Sequence, residues 1–201
     1  MQVYRHDEGS KHQVLMDSLS HNEGEPAKFI RELKEKSSIL MFYEEKNYAK
    51  SLGFLFLDIG LRGSQACLYL SSDTIPNAEA FMAAAGINVA ESRPGSLQIH
   101  TTNSHKKDQI IRIIEEFVKS AKDRASRIII HHDRFTREQQ SDLLLVEEFM
   151  QELFERHDVS VLSIYNTEFM DNAQFMQQII NVHDYTIFAP DFGKGIVVKM
   201  R

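Results

Sequence analysis

Residues Ser37 to Ser51, SSILMFYEEKNYAKS, join an apolar run too short for a helix, an abrupt acidic turn, and a segment with helical period. The same strand-then-helix unit recurs along the chain, and this alternation restricts the fold more than any other feature. Continuous apolar strands separated by amphipathic helices bury both faces of a mostly parallel sheet. The fold class expected is therefore α/β, with helices on both faces of the sheet.

Taken in order, Pro26 suits the first residue of a helix through about Lys36, with Phe29, Ile30 and Leu33 on its apolar face. Ser38 to Tyr43 is the first strand, and Tyr48, Leu52, Leu55, Phe56 and Ile59 then recur at helical spacing until Gly60 and Gly63. Ala66 to Leu70 is the second strand; Ser71-Ser72-Asp73-Thr74 and Pro76 open a short helix that Gly86 ends. A loop with Arg93-Pro94-Gly95 leads to a third strand, Ser96 to Thr101, and Asn103 and Ser104 precede a helix from Lys106 to Ala125. Arg127 to His132 is the fourth strand, and the pair Thr136 and Gln139 opens a helix to Arg156. Val159 to Tyr165 is the fifth strand, Asp171 caps a helix to about Val182, and Tyr185 to Ala189 is the sixth strand. Gly193 and Gly195 introduce Ile196 to Met200, expected to pair antiparallel with the sixth strand as an edge hairpin.

With 201 residues the chain suits one domain, and 42% hydrophobic with 26% charged residues is ordinary for a globular protein. Residues 26–201 read as that domain; residues 1–25 read as an arm, mobile or interface-forming, with one apolar patch at Val14, Leu15, Met16 and Leu19. The single cysteine, Cys67, excludes an internal disulfide framework and reads as a buried thiol in mid-strand. No apolar run approaches the length of about 20 residues that a membrane span needs, and the N-terminus lacks a signal-peptide core, so a cytoplasmic location is expected. A net charge of -6 with dispersed basic residues lacks the footprint of a nucleic-acid binder.

In a parallel α/β sheet, ligands collect beyond the C-terminal ends of the strands. There the chain offers Tyr43, Glu44, Ser71, Asp73, His100, His132, Asp133 and Tyr165 as the expected ligand-binding set, with Glu45, Ser72, Thr101, Thr102, His131 and Asn166 beside them. A phosphate loop, G-x-x-x-x-G-K-[ST], belongs directly after the first strand, because glycine lets successive N–H groups turn toward phosphate. Here the Lys50-Ser51 pair survives, but Glu44 and Ala49 stand where the glycines belong. An acid there faces phosphate with like charge, so ordinary nucleotide binding is expected to be lost, with Lys50 and Ser51 as exposed helix residues. Asp133 occupies the place of the acid that closes the second nucleotide motif, but is expected to hold no magnesium. His100 and His132 are the candidate metal ligands, on strands read as neighbours. His131 and His132 point to opposite faces and cannot share an ion, and two strand-end histidines, one buried and one solvated, are the simpler reading. Tyr43, Tyr69 and Tyr165, with Met41 and Phe42, line either an apolar pocket or ordinary core. No catalytic nucleophile stands out and no cofactor is implied.

Several segments resemble the MEDS domain, a sensory domain first described in a regulator of dichloromethane metabolism. Ser38-Ile39-Leu40-Met41-Phe42-Tyr43-Glu44-Glu45 is similar to that family's H-I-C-L-F-Y-E-[DE]; GLRGSQACLYL from Gly60 is similar to G-L-x-x-G-E-x-C-L-Y-I. Ala85 to Val89 is similar to A-G-I-D-V, Ile164-Tyr165-Asn166 stands at a C-x-Y-D strand end, and His183 matches a histidine before the last core strand. The resemblance spans about Ser37 to Ala189. It implies a RecA/KaiC-like fold that has lost its phosphate loop and senses small, hydrocarbon-like ligands. Ser38 and Leu40 replace the family's His and Cys, and His131 to Phe135 replace a stretch that usually holds Gly-Glu and an aromatic.

The function expected is therefore a non-catalytic sensory or regulatory domain in signal transduction or transcriptional regulation. It binds a small ligand at the strand ends and acts on a separate protein partner such as a kinase or transcription regulator, with a homodimer as a further expectation. The alternatives are a RecA/KaiC-like nucleotide-binding ATPase with a divergent loop and a structural oligomerisation module.

Overall fold

The computed structural model describes residues 24–87, 89, 95–102, 106–122 and 124–201. The apolar patch at Val14 to Leu19, Arg93, Pro94, Asn103 and Ser104 lie outside the described residues. Among the described residues six helices alternate with a seven-stranded sheet: α1 (Glu25–Glu32), β1 (Ser38–Tyr43), α2 (Lys46–Arg62), β2 (Ala66–Ser71), α3 (Ile75–Ala84), β3 (Leu97–Thr101), α4 (Lys107–Ala121), β4 (Ser126–His132), α5 (Gln140–Arg156), β5 (Val159–Asn166), α6 (Ala173–Asn181), β6 (Tyr185–Ala189) and β7 (Ile196–Lys199). The order across the sheet is β3-β2-β4-β5-β1-β6-β7, parallel throughout except for the β6–β7 hairpin. The alternation read from the apolar runs is thus the architecture found.

The local reasons are visible at the helix starts. The Glu45 carboxylate accepts from the N–H groups of Asn47 and Tyr48 and so opens α2. Gln139 accepts from the Thr136 N–H at the short 3₁₀ turn that leads into α5. The cap of α6 is Asn172, whose side chain accepts from Gln174 and Phe175; Asp171, the residue expected there, reaches Gln140 instead.

Strand alternation divides the core between the faces. Ile39, Met41 and Tyr43 of β1 and Ile129 of β4 pack under α1, α2 and α3. Ile128 and Ile130 pack under α4 and α5, and Leu40, Phe42 and Tyr165 under α5 and α6. Cys67 is buried as expected, and burial pushes its thiol up to about 12.

The order corrects one expectation. β2 lies between β3 and β4, so His100 and His132 are two strand spacings apart, about 10 Å, rather than neighbours. Hydrophobic patterning identifies strands but not their lateral order.

Two glycines let α1 close over the β6–β7 edge. A Cβ on Gly24 would meet the Gly193 carbonyl oxygen at 2.3 Å, and Glu25 accepts from the outward Val197 N–H. Gly195 has φ +141, and a Cβ there would lie 2.3 Å from the Phe188 carbonyl oxygen and 2.9 Å from Pro26 Cγ. Gly195→Ala should cost about 2 kcal/mol or more, read as a lower urea midpoint; an unchanged midpoint would show that this edge is not tightly closed.

Candidate functional site

The C-terminal ends of β1, β2 and β4 carry a network of charges centred on Asp133. Tyr43 reaches across the intervening β5 to donate to Asp133 Oδ1 at 2.6 Å, and Lys46 and Ser72 donate to Oδ2 at 2.6 and 3.0 Å. His131 Nε2 lies 3.1 Å from Oδ1. Burial works against the Asp133 charge, but His131, Lys46 and Tyr43 outweigh it and hold the carboxyl well below the usual carboxylate range. Burial and the bond to Asp133 push the Tyr43 phenol far up, so it stays a donor.

Lys50 and Ser51 are not exposed, contrary to expectation. Lys50 is 4% exposed, and its ammonium pairs with Asp73 Oδ2 at 2.8 Å and sits 4.0 Å from the centroid of the Phe81 ring. Burial pulls its pKa down, and Asp73 opposes that pull. The Ser51 hydroxyl donates to Asn47 O within its own helix. Together with Glu45 on the first N–H groups of α2, this means that Lys50, Ser51 and the Asn47 and Tyr48 N–H groups, the phosphate-loop positions, are held by the chain's own oxygen atoms. Ser71 is buried and accepts from the Asp73 N–H, while Glu44 points outward at the turn.

A cleft of about 470 Å³ opens beside this network, lined by Lys46, Ser72, Thr102, Asp133, Arg134, Phe135, Thr136, Gln139 and Phe169. Of the expected ligand-binding set only Asp133 lines it; Tyr43 lies behind it and holds Asp133. His100 sits half-buried on the edge strand β3. Among the described residues no group of three or more His, Cys, Asp or Glu is placed to hold a metal ion.

His131 and His132 do face opposite ways, but neither is solvated: both are buried. His132 stacks on Tyr165, ring centroids 4.6 Å apart, and Phe135 meets the same tyrosine edge-on at 5.7 Å. Tyr165 and Ser163 donate to Glu147 at 2.6 and 2.8 Å, and His183 Nε2 lies 3.4 Å from Glu147 Oε2. Glu147 is fully buried; burial pushes its carboxyl up to about 7, against the two hydroxyl donors. Burial likewise pulls His183 down to about 3, although its Nδ1 faces the Ile179 carbonyl oxygen at 3.1 Å. The sequence reading missed Glu147. The available signal was an acid inside the buried stripe of Leu143, Val146 and Met150.

A mostly parallel sheet with helices on both faces, its strand ends crossed by pairs between the chain's own lysines and carboxylates, defines an α/β domain of RecA/KaiC-like fold. The chain belongs to the MEDS family: the family model described as "MEthanogen/methylotroph, DcmR Sensory domain" matches residues 39–184. No curated protein matches the sequence. The chain is similar in fold to a KaiC-like protein from the hyperthermophilic archaeon Pyrococcus horikoshii, with TM-score 0.63 and 16% identity over 83% of this chain and 80% of that one. It is also similar to an ATPase domain, with TM-score 0.58 and 9% identity over 90% and 84% of the two chains. Among the described residues no helix is long and apolar enough to cross a membrane.

Two outcomes follow from the buried charges. Asp73→Asn leaves the Lys50 ammonium without its counter-charge and should cost about 3 kcal/mol in urea unfolding, most of it recovered by adding Lys50→Met; a double variant no more stable than the single would show that the ion pair is not the cause. Glu147, ordinarily near 4.5, titrates at about 7 when folded, so the native state binds more protons between those values. Its contribution is complete below about pH 4.5 and is lost as pH rises through about 7, while that of His183 runs the other way, lost as pH falls from 6.5 toward about 3. Glu147→Gln keeps an acceptor for Tyr165 and removes the first term. It should gain about 3 kcal/mol over the parent between pH 5 and pH 8, and parallel stability profiles would exclude a buried titrating carboxyl.

Proposed function

We propose that this chain is a non-catalytic sensory domain. A small ligand enters the cleft beside Asp133, and the bound state passes to a partner protein such as a kinase or transcription regulator. The observation that carries the reading is the cleft itself: a partly aromatic cavity at the strand ends, next to phosphate-binding positions occupied by Glu45 and Asp73. The MEDS membership supports a regulatory role. The likeness to ATPase domains is one of fold, and the pairing of Lys50 with Asp73 argues against its carrying over to activity.

A route for the signal is present in the packing. Phe135 lines the cleft and touches Tyr165, whose hydroxyl holds Glu147 in the middle of α5. A ligand that moves the Phe135 ring acts on a buried, hydrogen-bonded side chain of that helix and hence on the surface α5 presents.

The test pairs a titration of magnesium ATP with a thermal-shift screen of small metabolites, followed by chemical shifts of the Ser72, Thr102 and Phe135 amides. The expected result is no saturable nucleotide binding and at least one stabilising compound that moves those amides. Saturable ATP binding that Lys50→Ala weakens would overturn the proposal in favour of a divergent nucleotide-binding protein.

A further inference from the structure

β7 is an edge strand of the sheet, and its two faces differ. Val197 packs into the core beneath α1. Ile196, Val198 and Met200 alternate with it, on the face that carries Phe188 of β6, and all three are exposed. The ladder with β6 runs on to Met200, whose N–H donates to the Asp184 carbonyl oxygen at 2.7 Å. Antiparallel bonds alternate along a strand. Ile196, Val198 and Met200 therefore commit their backbone groups to β6, and Val197 and Lys199 turn theirs outward. The outward Val197 N–H is met by the exposed Glu25 carboxylate at 3.1 Å. Lys199 is exposed, and its ammonium has no carboxylate partner among the described residues.

An apolar edge strand is a template for another strand, and this one is complementary to itself. On a two-fold axis through Val198, an antiparallel second copy sets Val198 against Val198, Ile196 against Met200, and Val197 against Lys199. The exposed apolar side chains of both copies then join in one strip. The Val197–Lys199 pairs exchange the outward N–H and C=O groups, and each brings the ammonium of one copy to the Glu25 carboxylate of the other. A lysine on an edge ordinarily repels a second strand; here it faces an acid. Shifting the axis to Val197 would set Glu25 against Glu25, and shifting it to Lys199 would set lysine against lysine, so charge selects the register centred on Val198.

We infer that β7 is a dimerisation edge: a second copy of this chain pairs antiparallel with it about Val198 and extends the sheet across a two-fold axis. One short strand and its flanking side chains make a small interface, so the dimer dissociates in the micromolar range or above.

Sedimentation equilibrium of the full chain between about 1 μM and about 1 mM tests this, with oxidative crosslinking to fix the register. The expected result is a reversible monomer–dimer equilibrium. Lys199→Glu sets like charges face to face twice and should weaken the dimer about tenfold, and adding Glu25→Lys should restore most of the loss. Both residues are exposed, so the variants should melt close to the parent. In the paired register the two Val198 Cα atoms stand about 4.5 Å apart, within disulfide reach, and the two Ile196 Cα atoms about 14 Å apart. Val198→Cys should therefore form a covalent dimer on mild oxidation and Ile196→Cys should not, the native Cys67 being buried. A chain that stays monomeric throughout overturns the inference, and hydrogen exchange at the Lys199 amide then separates an edge covered by a segment of the same chain from a bare one. A dimer that Lys199→Glu leaves unchanged, or that crosslinks equally through either cysteine, lies elsewhere on the surface and overturns it too.

Discussion

A lysine ammonium buried beneath the C-terminal edge of a parallel sheet must have an anion beside it, since its desolvation costs several kcal/mol otherwise. In this chain the anion is Asp73, a residue of the loop after β2, at 2.8 Å from Lys50. The neighbouring positions follow the same logic: Glu45 supplies the negative charge at the start of α2, and Asp133 gathers Tyr43, Lys46, Ser72 and His131. Lys50, Lys46, Glu45 and Asp133 thereby each have a partner within the chain. β1, which β5 separates from the paired strands β2 and β4, is tied to β4 above the sheet by the Tyr43–Asp133 hydrogen bond.

The two tyrosines at the ends of β1 and β5 show how strand alternation distributes this polarity. Tyr43 and Tyr165 lie on opposite faces of the sheet; one donates to a carboxylate at the cleft, the other to Glu147 within the helical layer. His131 and His132 repeat the division, the first beside Tyr43 and Asp133, the second stacked on Tyr165. Among the described residues each face thus has one buried carboxylate. The two environments push their carboxyl groups apart, Asp133 down by its donors and Glu147 up by burial.

Most of the fold was legible because apolar runs, helical period and capping residues are local signals: β1 has the bounds read for it, Ser38–Tyr43, and the other strands lie within a residue or so of theirs. The lateral order was not, since nothing in a strand states which strand lies beside it; hence the misplaced pairing of His100 with His132. Lys50 was misread for a related reason. Its counter-ion comes from β2's loop, and a lysine after a broken loop carries no local mark of burial. Asp133 was found from its position after an apolar strand, while Arg134, Phe135 and Phe169, which line the cleft with it, sit in stretches that read only as loop or departure from a family pattern. Glu147 did carry a signal, an acid on a buried stripe, which registers only when the polar exceptions in a stripe are read as closely as the apolar rule.

The absence of loop glycines after β1 and the presence of these carboxylates act together physically. An acid at Glu45 occupies the N–H groups that glycines would have turned toward phosphate, and Asp73 takes the ammonium that phosphate would have paired. Restoring glycine alone would leave Lys50 committed to Asp73, and removing Asp73 alone would leave a buried charge unpaired. Freeing Lys50 for a phosphate requires both to change together. The cleft escapes this closure because it is built from the other side of the network, by the segment from Asp133 to Gln139 together with Phe169. Lys46 belongs to both regions, lining the cleft while it lies 2.6 Å from Asp133 and 3.9 Å from Asp73.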